Sequence, residues 1–273
     1  MPFIDAPDGT PLYYTDWGSG RPVILIHGWP LNADMWEYQA TFLAQNGFRV
    51  VAYDRRGFGR SGKPWSGYTY DTLADDLAAI IDTLDLRDAA LVGFSMGGGE
   101  VARYLARHGS GRISHAALVS SVTPFLLQTG DNPGGVPQTV FDEFIAGLKA
   151  DRPHFLTGFG KTFFGVGLVT SPVSSEIPHW AANLALQASP HATVECVTAF
   201  SGTDFRPDMA AFTMKTLIVH GDADQTVPIQ VAGAAAARLV PHADFKTYAG
   251  APHALVITDK DRFNADLLGF LQI

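Results

Sequence analysis

Gly93-Phe94-Ser95-Met96-Gly97 lies between an apolar run, Ala89-Ala90-Leu91-Val92, and a segment of helical character from Gly98 to His108. A chain that passes from strand to helix in so few residues turns so tightly that side chains beside the central serine would collide. Glycine two residues before and two after the serine removes that collision. The serine is left with strained backbone angles, which natural chains keep mainly where function requires them. The chain holds 28 glycines, so a chance G-x-S-x-G is a real alternative, and the surrounding sequence has to decide.

Outward from that turn, apolar runs recur at Val23 to Ile26, Arg49 to Tyr53, Ala89 to Phe94, Ala116 to Val119, Thr216 to Val219 and Phe245 to Tyr248. Nearly continuous apolar runs are the mark of strands buried on both faces, as in a parallel sheet. Helical segments separate them. Leu73, Leu77, Ile80, Ile81 and Leu84 follow the 3.6-residue period, with Thr69 or Asp71 as N-cap. Val101 and Leu105 continue the helix that opens at the serine. Gln230 to Leu239 is alanine-rich and helix-favouring, and Phe263, Leu267, Leu268 and Phe270 mark a last helix. Leu12 to Trp17 and Phe3-Ile4 read as an antiparallel hairpin on the sheet edge. The alternation predicts an α/β fold with a mostly parallel, doubly wound sheet. In that setting the Ser95 turn is the nucleophile elbow of an α/β-hydrolase fold.

One stretch breaks the alternation. No good strand is found between about Val122 and Phe212. Val140, Phe141, Phe144, Ile145 and Leu148 share a helical face, as do Ile177, Trp180, Ala181 and Leu184. A third helix starts at Ser189-Pro190, a capping residue followed by proline at the first helical position. The reading is a hydrolase core over 1–121 and 213–273 with a helical cap over 122–212, reached through the loop Asp131-Asn132-Pro133-Gly134-Gly135. The cap carries Phe125, Phe141, Phe144, Phe155, Phe159, Phe163, Phe164 and Phe200. Some of these form its own core and others line a pocket above the elbow.

Composition narrows the function. A formal net charge of −8 repels phosphate backbones, and like charges cluster only in pairs, so neither nucleic acid nor a membrane surface is an expected partner. The first residues lack a basic start and an apolar run, so no signal peptide is expected, and no apolar run approaches the length of a membrane span. The lone cysteine, Cys196, sits in an apolar segment and reads as a small core residue rather than a nucleophile. A cytoplasmic location is the simplest expectation.

Serine alone is a poor nucleophile and needs a base, which needs an orienting acid. In this fold the order is serine, acid, histidine. His220-Gly221-Asp222-Ala223-Asp224 follows the fifth apolar run and Gly250-Ala251-Pro252-His253 the sixth, so both loops emerge at the strand ends that carry Ser95. His253 is the base by position. Asp222 and Asp224 both fit the acid; Asp224 lies deeper in the loop and is preferred, leaving Asp222 to hold the loop through backbone hydrogen bonds. The oxyanion of a tetrahedral intermediate needs backbone N–H donors, worth about 2.7–4 kcal/mol each. The Met96 N–H is one candidate and the Trp29 N–H, in His27-Gly28-Trp29-Pro30, the other. Pro30 has no N–H and biases Trp29 toward extended backbone, which fixes where the Trp29 carbonyl points. His27 reads as a brace for that loop. Gly57-Phe58-Gly59-Arg60-Ser61-Gly62 spells a dinucleotide fingerprint, but Lys63-Pro64 follows where a helix should open, so it reads as a turn. No metal-ligand spacing is found. No metal and no organic cofactor are expected.

Gly28-Trp29-Pro30, Asp54-Arg55-Arg56-Gly57-Phe58-Gly59-Arg60-Ser61, Gly93-Phe94-Ser95-Met96-Gly97-Gly98, Asp204-Phe205-Arg206-Pro207-Asp208 and Ala251-Pro252-His253 together resemble one branch of the α/β-hydrolases. These are the bacterial aryl esterases also known as cofactor-free haloperoxidases or perhydrolases, with the related γ-lactamases. The similarity runs through the whole chain. It implies a Ser95, Asp224, His253 triad, an oxyanion hole from the backbone of Trp29 and Met96, and a pocket reaching Pro30, Phe144, Phe159, Phe163 and Val227. It implies a small ester, carboxylic acid or lactam as substrate, hydrogen peroxide as a co-substrate, and a homo-oligomer. In that family, proline after the oxyanion-hole tryptophan accompanies peracid formation. Two other readings remain: an amidase acting on small lactams with the same machinery, and a ligand-binding protein on a hydrolase scaffold. Ser95 excludes the carboxylate-nucleophile route of dehalogenases and epoxide hydrolases.

Overall fold

The computed structural model describes residues 2–167 and 171–272. Its strands are β1 (Phe3–Asp5), β2 (Pro11–Gly18), β3 (Arg21–Ile26), β4 (Phe48–Tyr53), β5 (Ala89–Phe94), β6 (Ile113–Val119), β7 (Lys215–Gly221) and β8 (Asp244–Tyr248). They form one sheet in the order β1-β2-β4-β3-β5-β6-β7-β8. From β4 to β8 every pairing is parallel, and β1 and β2 close one edge antiparallel. All six residues of β5 are buried, as are the last five of β6. Each fully buried Val, Leu or Ile contributes about 1.5–3 kcal/mol, so these aliphatic runs favour the centre of the sheet. The α/β-hydrolase fold read from the sequence is the fold found.

The core helices are α1 (Glu37–Gln45), α2 (Tyr70–Thr83) and α3 (Met96–His108), then α4 to α6 of the insertion, then α7 (Gly233–Leu239), α8 (Leu255–Thr258) and α9 (Lys260–Leu271). α1 packs on α9, and α2 on α3. Thr69, of the two capping candidates, caps α2, its hydroxyl accepting from Thr72 N at 3.4 Å. The alanine-rich helix opens at Gly233, later than the expected Gln230, because residues 230–232 are in turns. The fingerprint-like stretch 57–62 is a turn.

α4 (Gln138–Phe163), α5 (Glu176–Leu186) and α6 (Pro190–Gly202) stand between β6 and β7. α4 is two helices end to end, broken at Asp151 (φ −154°, ψ 87°). The Asp151 carboxylate accepts from His154 N at 3.0 Å, so it caps a fresh helix whose second residue is Pro153. That second half presents Phe155, Phe159 and Phe163 along one face, four residues apart. Ser189 caps α6 ahead of Pro190. Where the insertion rejoins the core, Arg206 pairs with Asp204 and Asp131, and Asp208 pairs with Arg103 on α3.

Candidate active site

The turn after β5 has the geometry its glycines suggest. Ser95 sits at φ 53° and ψ −119°, backbone that L-residues rarely adopt. A Cβ on Gly93 would lie 2.5 Å from the Gly97 carbonyl oxygen, and one on Gly97 would drive into the Ile26 carbonyl. Ser95 therefore projects from the end of a rigid strand onto the start of α3. Met96 is the first residue of that helix, where backbone N–H groups have no partner one turn back.

Three chain-distant side chains meet there. Ser95 Oγ is 2.9 Å from His253 Nε2, and His253 Nδ1 is 2.7 Å from Asp224 Oδ2. All three residues are buried. With Nδ1 donating to the carboxylate, Nε2 is left to accept from the serine hydroxyl, which is the arrangement a general base requires. The other carboxylate oxygen of Asp224 accepts from Thr226 N at 2.9 Å and Val227 N at 2.8 Å. Burial opposes ionisation of Asp224, but the charge and hydrogen bonds of His253 and His220 outweigh it, and its carboxyl is held well below the ordinary aspartate range. Asp222 does not reach His253. Its Oδ1 accepts from Gly250 N at 2.6 Å, tying the loop after β7 to the loop after β8.

The imidazole is held from several sides. Ser120 Oγ donates to the His253 carbonyl at 3.1 Å, and the Ala254 N–H donates to the Phe163 carbonyl at 3.0 Å. The rings of Phe94 and Phe163 pack on it with centroids 5.0 and 5.1 Å away. Ser120, with φ 43°, follows β6 in a second tight turn. The sequence reading overlooked it, although a Ser-Ser pair closing an apolar strand was a visible signal.

The loop carrying Trp29 is braced from below. His27 Nε2 accepts from Arg55 N at 3.0 Å, and its Nδ1–H donates to the Gly28 carbonyl at 2.9 Å. The Arg55 guanidinium donates to the His27 carbonyl at 2.6 Å and is paired with Glu100 of α3, which also accepts from Tyr53. Arg55 and Glu100 are both buried and were not singled out from sequence, since charged residues normally signal surface. The Trp29–Pro30 peptide is cis. Trp29 Nε1 donates to the Thr193 carbonyl of α6 at 3.0 Å, which joins this loop to the helices between β6 and β7.

A cavity opens above Ser95 and His253. Its walls include Trp29, Phe141, Phe144, Phe159, Phe200 and Val227, so the lining is apolar except at the serine, the histidine and Thr226. Of the residues expected to form a pocket, Phe144, Phe159 and Val227 line this cavity, and Pro30 and Phe163 are not among its walls. Pro30 and Phe163 line an adjoining apolar cavity that has Phe159 in common with it. The Phe163 ring packs on Phe94, Phe164 and His253.

Cys196 is buried in α6, where burial pushes its thiol up to about 12. Among the described residues no group of three or more His, Cys, Asp or Glu side chains is placed to hold a metal. No helix among them is long and apolar enough to cross a membrane.

Comparison with known proteins agrees with the fold. The chain is 44% identical over 273 residues to the non-heme chloroperoxidase CPO-A1 of Kitasatospora aureofaciens, covering 99% of both chains. It is 38% identical over 277 residues to the bifunctional esterase/perhydrolase DCH of Acinetobacter calcoaceticus, covering 100% of both. The crystal structure of a bromoperoxidase from Bacillus anthracis superposes with a TM-score of 0.97 at 43% identity, covering 100% of this chain and 99% of that one. The family described as alpha/beta hydrolase fold matches residues 21–260. The chain belongs to the α/β-hydrolase family.

Proposed function

We propose that this protein is a serine hydrolase of small carboxylic esters that works through an acyl-enzyme on Ser95 and also lets hydrogen peroxide attack that intermediate. The observation that carries the reading is the continuous hydrogen-bonded chain from Ser95 Oγ through His253 to Asp224 at the floor of an apolar cavity. The names of the relatives, an esterase/perhydrolase and haloperoxidases, support the same pair of reactions.

In this mechanism His253 Nε2 takes the Ser95 proton as Oγ attacks the ester carbonyl. Asp224 stays ionised and holds the imidazole in the tautomer that can accept. The carbonyl oxygen becomes an anion and is met by the Met96 and Trp29 N–H groups. As the tetrahedral intermediate collapses, the alkoxy or aryloxy group leaves with the proton from His253. Water then attacks the acyl-serine, His253 again taking the proton, and the acid departs. When hydrogen peroxide attacks instead, the same step yields a peracid and regenerates Ser95. A peracid oxidises halide in free solution, which connects ester chemistry at Ser95 with the haloperoxidase names of the relatives.

Replacement of Ser95 by alanine tests the reading. Turnover of p-nitrophenyl acetate is expected to fall by about 10⁴-fold or more with the fold intact. Turnover near the wild-type rate would end the assignment.

A further inference from the structure

His220 is the fourth residue of this neighbourhood and has no place in the proposed mechanism. It lies in β7, fully buried, in a strand whose preceding residues are Leu217, Ile218 and Val219. Its Nδ1 has no hydrogen-bond partner. A buried nitrogen without a partner is a standing cost that an aliphatic residue would avoid. The ring is also closely fitted, because a Cβ on Gly233 at the start of α7 would lie 2.7 Å from Nδ1. What the imidazole offers in return is at its other nitrogen. His220 Nε2 is 2.9 Å from the Val227 carbonyl and 3.2 Å from Asp224 Oδ2. The carbonyl can only accept, so Nε2 carries the hydrogen, and Val227 O and Asp224 Oδ2 are the nearer and farther arms of a fork.

Around Asp224, Oδ1 accepts from Thr226 N and Val227 N, Oδ2 accepts from His253, and His220 Nε2 lies 3.2 Å from Oδ2. We propose that His220 is a positioning residue for the Asp224 carboxylate, its Nε2–H sharing the oxygen that faces His253 and so limiting how strongly that oxygen pulls on the His253 Nδ1 proton. The inference rests on the serine-hydrolase reading given above. The same N–H anchors Val227, whose side chain lines the cavity, so the acid and one wall of the pocket are held by one donor.

The sign of the effect follows. Without the His220 donor, Oδ2 carries more uncompensated negative charge and stabilises the protonated form of the neighbouring imidazole better. The base is then disabled at a higher pH. The ionisable groups facing Asp224 are His220 from its own strand and loop and His253 from the loop after β8. The other elements against His220 bring Thr247 of β8, beside it in register, and Gly233 of α7, neither of which titrates.

The test is the pH profile of kcat/KM for p-nitrophenyl acetate in wild type, His220→Leu and His220→Gln, with Ser95→Ala as control. In His220→Leu the acid limb is expected to move to higher pH by about half a unit or more. In His220→Gln, whose amide can donate from nearly the position of Nε2, the limb is expected to return toward wild type. Should His220→Leu fail to fold, His220→Asn replaces it, since its shorter amide cannot reach Asp224, and the same shift is expected. An acid limb unmoved in the Leu or Asn variant, or one equally displaced in the Gln variant, would overturn the inference. Activity persisting in Ser95→Ala would instead overturn the underlying mechanism, so the two failures are distinguishable.

Discussion

Ser95 stores strain that a different residue would release. Its φ of 53° with ψ of −119° is a conformation open mainly to glycine. Ser95→Gly is therefore expected to be more stable than Ser95→Ala by about 1 kcal/mol, both being inactive, when the two are compared by urea unfolding. Equal stabilities would mean the turn holds no strain. Pro30 is a second residue-scale case. It lies outside the Ser95 cavity, so any influence on peroxide must pass through Trp29, whose carbonyl direction it constrains. Water and hydrogen peroxide each keep one O–H after the base takes a proton, but peroxide carries it on the distal oxygen, one bond farther from the acyl carbon, where that carbonyl can accept it. Pro30→Leu is expected to lower the ratio of peracid formation to ester hydrolysis several-fold, measured on one ester with and without peroxide; an unchanged ratio would remove Pro30 from the explanation. The meeting of Ser95, Asp224 and His253 was legible in sequence because each stands just past an apolar strand, and a parallel sheet delivers such loops to one edge. Arg55, Glu100 and His220 were not, because charged or ionisable residues sealed inside a core break the very pattern by which a core is read.

At the scale of elements, the central strands β3, β5, β6 and β7 were the clearest because burial writes them as nearly uninterrupted apolar runs. The helices were uneven. α1 was missed altogether, and one reason is Gln39, a core residue whose amide donates to Val256 O at 2.8 Å and Asn264 Oδ1 at 2.9 Å. A polar side chain facing inward blurs the apolar stripe. The second half of α4 was also missed, although Asp151 before Pro153 is a helix start and Phe155, Phe159 and Phe163 keep a four-residue spacing. That half of the helix aims Phe159 into the cavity, so its cap bears on the pocket. Asp151→Ala removes the acceptor for His154 N and is expected to cost about 1 kcal/mol of stability. Loosening the wall should weaken substrate binding more than chemistry, raising KM roughly 2–5-fold with kcat little changed. A fall in kcat at constant KM would instead place the disturbance at Ser95 or His253.

Over the whole molecule, the site sits where the sheet edge and the helical insertion close on each other, and one buried negative charge ties several of these parts together. Asp224 is bonded to the loop after β7 through Thr226 N and Val227 N and to the loop after β8 through His253. Its carboxyl is held below the ordinary range in the fold, whereas in the unfolded chain it titrates near about 3.9. Between those two values the unfolded chain binds the extra proton, so stability rises with pH there. The contribution is complete above the unfolded value and is lost as pH falls toward the folded one. Wild-type acid unfolding alone cannot isolate it, because other carboxyls move both ways. A hydrogen bond from Arg56 holds Asp8 down, whereas burial pushes Asp76 and Glu100 up, and the latter two run with the opposite sign. The difference in unfolding free energy between wild type and Asp224→Asn cancels those groups. That gap is expected to narrow progressively below about pH 4, measured by urea unfolding across the series. A gap of unchanged width down to pH 3 would show that the fold does not hold this carboxylate ionised, and with it would go the reason that His253 keeps the tautomer able to take the serine proton.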